Sequence, residues 1–311
     1  MKKNPIGITM IGDPYILKAK DGKYYIYATT FVGDTPDFCG FNVWTSNDLE
    51  SFSEPTVCYR KNVKSFGYRD YWAPEVVESG GKYVMHYSAR RREDESLRIG
   101  VAVSDSPTGP FIDVYDRKPM FEPGYAAIDG HVFIDDDGKK YFYYSRDCSE
   151  NIISNRRESH IYVAQLSDDL LSLTSSGKMV LKPEKDYEKA FYDYNGKQVY
   201  WNEGPFLVKH NGLYHLMYSA NFFASTNYCL CCAVSKYPDK GFVKYDEPLL
   251  KSIEGKMSGP GHNSVLRLGD NEYLCVYHVL TDSNNPSFDR QIFMSKMKFV
   301  NDRIVIENLG I

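Results

Sequence analysis

Apolar and polar positions run along the chain in short segments bounded by turn residues, and one pattern returns five times: a turn followed by an aromatic-rich strand, seen as DGKYYIYAT, GGKYVMHYSA, DGKKYFYYSR, NGLYHLMYSA and DNEYLCVYHV. Anchored on Tyr24, Tyr83, Tyr141, Tyr214 and Tyr273, the copies stand 59, 58, 73 and 59 residues apart. Intervals so regular, and too long for a single hairpin, must each hold a complete structural unit. An apolar run precedes each anchor (PYILKA, EVVES, HVFIDD, PFLVKH, NSVLRL), joined to it by Asp-Gly, Gly-Gly or Asn-Gly type turns, so each repeat opens with a hairpin. A third strand with β-branched or alternating apolar residues follows each anchor (FNVWTS, RIGVAVS, HIYVAQL, YCLCCAVS, RQIFMSKMKF), with a short further segment in most repeats. Four strands in each of five repeats predict an all-β fold, a five-bladed β-propeller forming one domain over residues 1–311. Helical periodicity is almost absent, which leaves a TIM barrel or doubly wound fold little support. The longer interval between Tyr141 and Tyr214 contains KPEKDYEKAFYDYNGKQVYW, expected as a loop insertion close to the functional face.

Composition narrows the partners. The net charge is −4 with both signs scattered, so no basic stripe suggests nucleic acid and no polybasic run suggests a membrane surface. Aromatic residues make up 15% of the chain and 26 of them are Tyr, which suits strands and also the stacking of sugar rings. The seven cysteines form neither a disulfide framework nor a zinc pair; alternation points Cys229 and Cys231 to one face of a strand and Cys232 to the other. They read as small buried hydrophobes of a reducing compartment. The start, MKKNPIGITMIGDPYI, lacks an apolar stretch long enough for a secretory signal, and a cytoplasmic location is the expectation.

In a propeller the first strand of each blade lines the central channel, so residues at its beginning converge on one axis. Counting back from the anchors, Asp13 lies 11 residues before Tyr24, Asp129 12 before Tyr141, Glu203 11 before Tyr214 and His262 11 before Tyr273. Three carboxylates and a histidine are thus expected around one mouth of the channel. A lone acidic residue beside Gly or Pro is ordinarily a turn residue, but coincidence at matching blade positions weakens that explanation. Blade two contributes Trp72 and Glu75 from YWAPE, and Trp201 precedes Glu203, so two indole faces are candidates to support a sugar beside the charged groups. Like charges brought close raise the pKa of at least one group, which lets a carboxylic acid keep its proton near neutral pH; glycoside hydrolysis needs one such acid and one ionised partner.

These motifs, in the order GDPYI, YWAPE, IDGHVFID, NEGPF and GHNSV over nearly the whole chain, resemble glycoside hydrolase family 43. Its five-bladed propellers carry an N-terminal Asp-Pro, a central Asp in an Asp-x-x-x-Phe context and a Glu-Gly-Pro, matched here by Asp13-Pro14, Asp129 to Phe133, and Glu203-Gly204-Pro205. The resemblance implies an inverting mechanism in which Asp13 is the base that activates water, Glu203 the acid that protonates the leaving oxygen, and Asp129 the group that tunes and orients that acid. It further implies that His262 sits beside a water-coordinated metal, commonly calcium, with a metal-free channel histidine as the alternative, and that Arg290 in FDRQIF contacts the sugar or holds a carboxylate in place. His131 follows Asp129-Gly130 where the family often has a proline nearby. The chain ends in ENLGI soon after the fifth blade, without the β-sandwich of many xylosidase members, which tilts the expectation toward an exo-acting α-L-arabinofuranosidase on plant-type oligosaccharides. A β-D-xylosidase or a galactan- or galactofuranoside-acting hydrolase stands as the alternative. A retaining fructan hydrolase would show Asn-Asp-Pro and Glu-Cys motifs, which Gly12-Asp13-Pro14 and Glu203-Gly204 do not match. A non-catalytic carbohydrate-binding propeller could lose an acid or base without penalty, yet all three carboxylates are present.

Overall fold

The computed structural model describes residues 4, 6–30, 39–191, 193 and 195–307. The first residues and most of the C-terminal ENLGI, on which the expectations about leader and chain end rest, lie outside them. The five repeats form five four-stranded antiparallel sheets. Blade one is Ile11–Lys18, Tyr24–Thr30, Gly40–Ser46 and Thr56–Arg60. Blade two is Gly67–Ser79, Lys82–Arg91, Leu97–Ser104 and Ile112–Asp113. Blade three is Ala127–Ile134, Lys140–Arg146, His160–Gln165 and Lys178–Leu181. Blade four is Asn202–His210, Leu213–Ala220, Cys229–Ser235 and Val243–Lys244. Blade five is Gly261–Gly269, Glu272–Leu280, Arg290–Val300 and Arg303–Ile306. All five anchor tyrosines fall in second strands, and among the described residues the helical segments are two short 3-10 turns, Cys148–Glu150 and Asp186–Glu188.

The second strands explain why the aromatic pattern repeats. Each is covered on both faces by neighbouring blades, so successive side chains enter different interfaces. Tyr25 and Tyr27 pack against blade two, whereas Ile26 and Ala28 pack against blade five. Val84 and Phe142 meet between blades two and three, Tyr143 and Leu216 between three and four, and Met217 and Cys275 between four and five. A strand sandwiched in this way must be apolar at nearly every position, which is how the sequence reads. The cysteine alternation follows the same rule: Cys229 and Cys231 face blade three and Cys232 faces blade five, all three buried. With an apolar cluster at all five junctions, including that between blades five and one, and with the five innermost strands adjoining in sequence around an axis, the ring is a five-bladed β-propeller.

The first described residues complete the circle. Ile6 N–H donates to Ile292 O, Ile292 N–H donates to Ile8 O, and Thr9 pairs with Gln291, so residues before blade one add to the edge of a blade-five strand. Asn4 fastens the end of this segment, its Nδ2 donating to Met294 O and its Oδ1 accepting from Met294 N–H, both at 2.8 Å. The long third interval is also accounted for. Its end, Val199–Tyr200, pairs in parallel with Arg156–Glu158, which pairs with Ile152–Ile153, giving a small three-stranded sheet between blades three and four. A buried cluster pins the insertion to blade four: Glu188 Oε1 accepts from Tyr218 Oη at 2.8 Å and from Asn202 Nδ2 at 3.1 Å, and Lys244 Nζ pairs with it while donating to Asn202 Oδ1 at 2.7 Å. Asn4→Ala removes two closing hydrogen bonds; at about 1 kcal/mol each, urea unfolding should show a loss of about 1–2 kcal/mol. An unchanged midpoint would mean the terminal segment does not help close the ring.

Candidate active site

Each innermost strand carries a β-bulge, and in every blade one residue of that bulge is left-handed: Asp13 (φ 53°), Ala73 (φ 47°), Asp129 (φ 58°), Gly204 (φ 57°) and His262 (φ 46°). Four of the five are not glycine, so the backbone is strained at the same place around the ring. A bulge re-aims the side chains beside it, and here they turn into one mouth of the channel. Four of the five left-handed residues have their backbone N–H held by a second-strand side chain of the preceding blade: Ala73 by Thr29 Oγ1 at 2.7 Å, Asp129 by Ser88 Oγ at 2.9 Å, His262 by Ser219 Oγ at 2.7 Å and Asp13 by His278 Nδ1 at 3.1 Å. Gly204 breaks the pattern. Its N–H donates to Asp129 Oδ2 at 3.1 Å, and the matching hydroxyl, Ser145 Oγ, is buried with no partner among the described residues. The bulges also correct the spacing argument. Asp13, Asp129 and His262 are equivalent, but Glu203 stands one residue earlier, at the position of Trp72, because the number of residues between bulge and anchor differs from blade to blade.

Asp13, Asp129 and Glu203 line a single cavity of about 440 Å³ together with Trp72, Trp201, His262 and Arg290, a size suited to a small sugar. Its two sides differ in charge. Asp13 Oδ1 faces Arg290 Nη1 at 3.0 Å and His262 Nδ1 at 3.2 Å, while Thr29 Oγ1 donates to Oδ2 at 2.6 Å. Because Thr29 Oγ1 accepts from Ala73 N–H, its own proton is free to point at Asp13. Burial works against a charge on Asp13, but Arg290, the two histidines His262 and His278 and the Thr29 hydrogen bond outweigh it and hold the carboxyl below the usual range, ionised. On the other side, burial pushes Glu203 well above its ordinary value, and Asp129, Asp147 and Asp13 push in the same direction against one hydrogen bond from Tyr228. Asp129 is also raised, by burial first and by Asp13 and Asp147, with His262 and the Gly204 N–H opposing. A charge on Asp129 thus disfavours a second charge on Glu203.

Trp72 lines the cavity and packs on Leu97, Ala126 and Ile128, and Trp201 lines it between Phe191 and Phe222 with ring centroids 5.2 and 5.6 Å away. Arg290, expected either to meet the sugar or to hold a carboxylate, holds Asp13, and it lies 4.5 Å over the Phe223 ring. Glu75, expected beside the sugar, stands elsewhere. It does not line the cavity; it lies past the Ala73-Pro74 bulge, deeper in the channel, where its Oε2 is 2.9 Å from His131 Nδ1. His131 Nε2 accepts from Leu207 N–H at 3.0 Å, so its proton sits on Nδ1, toward Glu75. The residue following Asp129-Gly130 is therefore a channel brace between blades two, three and four. The sequence reading passed over Asp147, Arg157, Phe222, Phe223 and Phe288, which also line the cavity, and Tyr228, which donates to Glu203 Oε1 at 3.0 Å. The SANFF segment holds two of these phenylalanines, but nothing local tells a rim aromatic from a buried one. At His262, the expected metal site, the described residues do not fit a directly held calcium. Calcium takes six to eight oxygens; the ring's Nδ1 faces an Asp13 carboxylate already engaged by Arg290 and Thr29, and no group of three or more His, Cys, Asp or Glu among the described residues is placed to hold an ion.

A propeller whose channel mouth gathers an ionised carboxylate, a carboxyl group kept protonated beside a second carboxyl, and indole platforms is a carbohydrate-active enzyme of the glycoside hydrolase class. The sequence matches the profile of Glycosyl hydrolases family 43 over residues 2–305. The chain belongs to that family. Relatives include a β-D-galactofuranosidase of Aspergillus niger, 26% identical over 290 residues, 88% of this chain and 75% of that one. A xylosidase/arabinosidase of Bacteroides ovatus is 26% identical over 313 residues, covering 92% of this chain and 91% of the relative. Among solved structures, a thermostable family-43 glycoside hydrolase superposes with a TM-score of 0.89 at 39% identity, over 99% of this chain and 96% of the other.

The strain and charge of the site yield two expectations. A Cβ on Gly12 would lie 1.9 Å from Arg290 Nη2, so Gly12→Ala should displace the guanidinium and raise the Asp13 pKa, followed by carboxyl-carbon NMR; an unshifted titration would mean that Arg290 does not govern Asp13. Above the ordinary glutamate value, folded Glu203 keeps a proton that the unfolded chain has lost, so the wild type loses stability as pH rises through that window. Glu203→Gln should therefore gain in melting temperature over wild type, and the gain should grow from about pH 5 to about pH 8; a pH-independent difference would contradict the raised pKa.

Proposed function

We propose that this protein is an inverting exo-glycosidase that removes α-L-arabinofuranosyl ends from plant-type oligosaccharides, its single propeller carrying the whole activity. The observation that supports this is the opposite electrostatic setting of Asp13 and Glu203 in one cavity: the first is held ionised beside the Arg290 guanidinium, the second protonated by burial and by neighbouring carboxylates. Asp13 takes a proton from a water molecule as that water attacks the anomeric carbon, and Glu203 gives its proton to the departing oxygen. Asp129 keeps Glu203 protonated by like-charge repulsion and, through the Gly204 N–H, holds the strand that carries it. Inversion needs room for a water between base and sugar. Asp13 and Glu203 stand on blades one and four, which blade five separates in the ring, and this supports an arrangement with that room. No step is assigned to a metal.

The names of the relatives support furanosides and xylosides alike, so the sugar is the finer part of the proposal. The protein is further proposed to work in a reducing, cytoplasmic setting, which the buried thiols support, Cys229 and Cys231 facing each other with sulfurs 3.6 Å apart.

Aryl α-L-arabinofuranosides, β-D-xylosides, β-D-galactosides and galactofuranosides, with product anomers followed by NMR, test the assignment. The arabinofuranoside is expected to turn over with inversion, and Asp13→Asn to lower kcat by about 10²–10⁴-fold. Glu203→Gln should spare activated aryl glycosides far more than poor leaving groups. Retained configuration would sink the mechanism, faster turnover of another sugar would correct the specificity, and sugar binding without turnover would point to a binding module.

A further inference from the structure

Tyr228 lies in the segment leading into the third strand of blade four and is fully buried. Its ring stacks on His278, with centroids 5.4 Å apart and planes 4° from parallel. The other direction is closed by Gly261, where a Cβ would come within 2.3 Å of Tyr228 Cε1. Held from both sides, the phenol has one placement, and there its hydroxyl is 3.0 Å from Glu203 Oε1. We infer that Tyr228 is a positioning residue for Glu203, its hydroxyl donating to Oε1 so that Oε2 is the oxygen that carries the acid proton and faces the leaving group. The inference rests on the reading of Glu203 as general acid.

The phenol acts as donor because burial raises its own pKa well above the ordinary value, and the nearby Glu203 carboxyl adds to that rise. While Glu203 is neutral, Oε1 is the carbonyl oxygen that accepts this bond and the proton resides on Oε2. When the Oε2–H bond breaks and the leaving oxygen takes the proton, the same hydrogen bond meets a carboxylate and becomes charge-assisted, so it strengthens as proton transfer proceeds. The phenol keeps its own proton throughout. Around Glu203, Asp129 and Asp147 from blade three and Asp13 from blade one oppose the developing charge, the Cys148 thiol lies within their field, and Tyr228 from blade four favours it. The ring contact with His278, which accepts the Asp13 N–H, also couples the placement of the acid to that of the base.

Tyr228→Phe in the full chain keeps the ring and removes the donor. On an alkyl glycoside of the accepted sugar, kcat is expected to fall about tenfold or more, the usual worth of a hydrogen bond to a charged group. An activated aryl glycoside should lose much less, KM should hold, and the basic limb of the pH–rate profile should move to higher pH because the carboxylate has lost its donor. A merely structural role would lower both substrates together and leave that limb in place, and this result would overturn the inference. Gly261→Ala, which pushes the ring aside, should give the same signature and decides the matter if Tyr228→Phe does not fold. Glu203→Gln measured alongside separates the two readings. Equal losses on both leaving groups would remove Glu203 as the acid and the inference with it, whereas leaving-group dependence in Glu203→Gln without it in Tyr228→Phe would remove the inference alone.

Discussion

The ion pair between Asp13 and Arg290 is the contact on which the chemistry of the channel mouth depends. The two residues are 277 positions apart in the chain, and each comes from an end of the ring: Asp13 from the innermost strand of blade one, Arg290 from the start of a blade-five strand. Their meeting requires the ring to be shut. The apolar cluster between blades five and one and the terminal segment paired along residues 291–294 press these strands together, and the absence of a side chain at Gly12 lets the guanidinium lie against the backbone of blade one. A carboxylate this buried would favour protonation if left alone. Closing the propeller is what keeps it charged.

The rest of the site follows from which blades are neighbours. Burial acts on Asp13, Asp129 and Glu203 alike and by itself would raise all three. What separates them is company. Blade five brings Arg290, His262 and His278 to Asp13, while blades three and four, side by side, bring Asp129, Asp147 and Glu203 together. A ring of five places blade four next to blade three and away from blade one, so the acidic pair forms on one side and the shielded carboxylate on the other. Two carboxyl groups of similar intrinsic strength thereby take opposite protonation states, the arrangement that acid–base chemistry at one bond requires.

The repeated bulge is the price of aiming these groups inward. Left-handed Asp13, Ala73, Asp129 and His262 are strained positions that glycine would fill more cheaply, and hydroxyl or imidazole groups of the preceding blades hold four of the five backbones in place. The fifth differs where the acidic pair sits: Gly204 donates to Asp129 instead, leaving the Ser145 hydroxyl without a partner among the described residues. Regularity serves the fold, and the departure from it serves the carboxylates.

The repeat, the strand order within each blade, the alternation of Cys229, Cys231 and Cys232 and the convergence of Asp13, Asp129, Glu203 and His262 on one mouth were legible in the sequence, because each depends on a period-two strand pattern or on spacing within one repeat. The one-residue offset of Glu203, the descent of Glu75 to His131 and the choice of Arg290 for Asp13 were not. A bulge shifts side chains without a fixed sequence signature, and partners such as Leu207 for His131 or Arg290 for Asp13 come from other blades. Phe222, Phe223 and Phe288 were likewise invisible as cavity walls, since an aromatic in a loop reads the same whether it faces a pocket or a neighbour. By itself the sequence determined which residues form strands and which acids arrive at the channel mouth. The tertiary structure alone decided which of those acids is ionised, because protonation in a buried site depends on the charges packed beside it and on the water excluded around it.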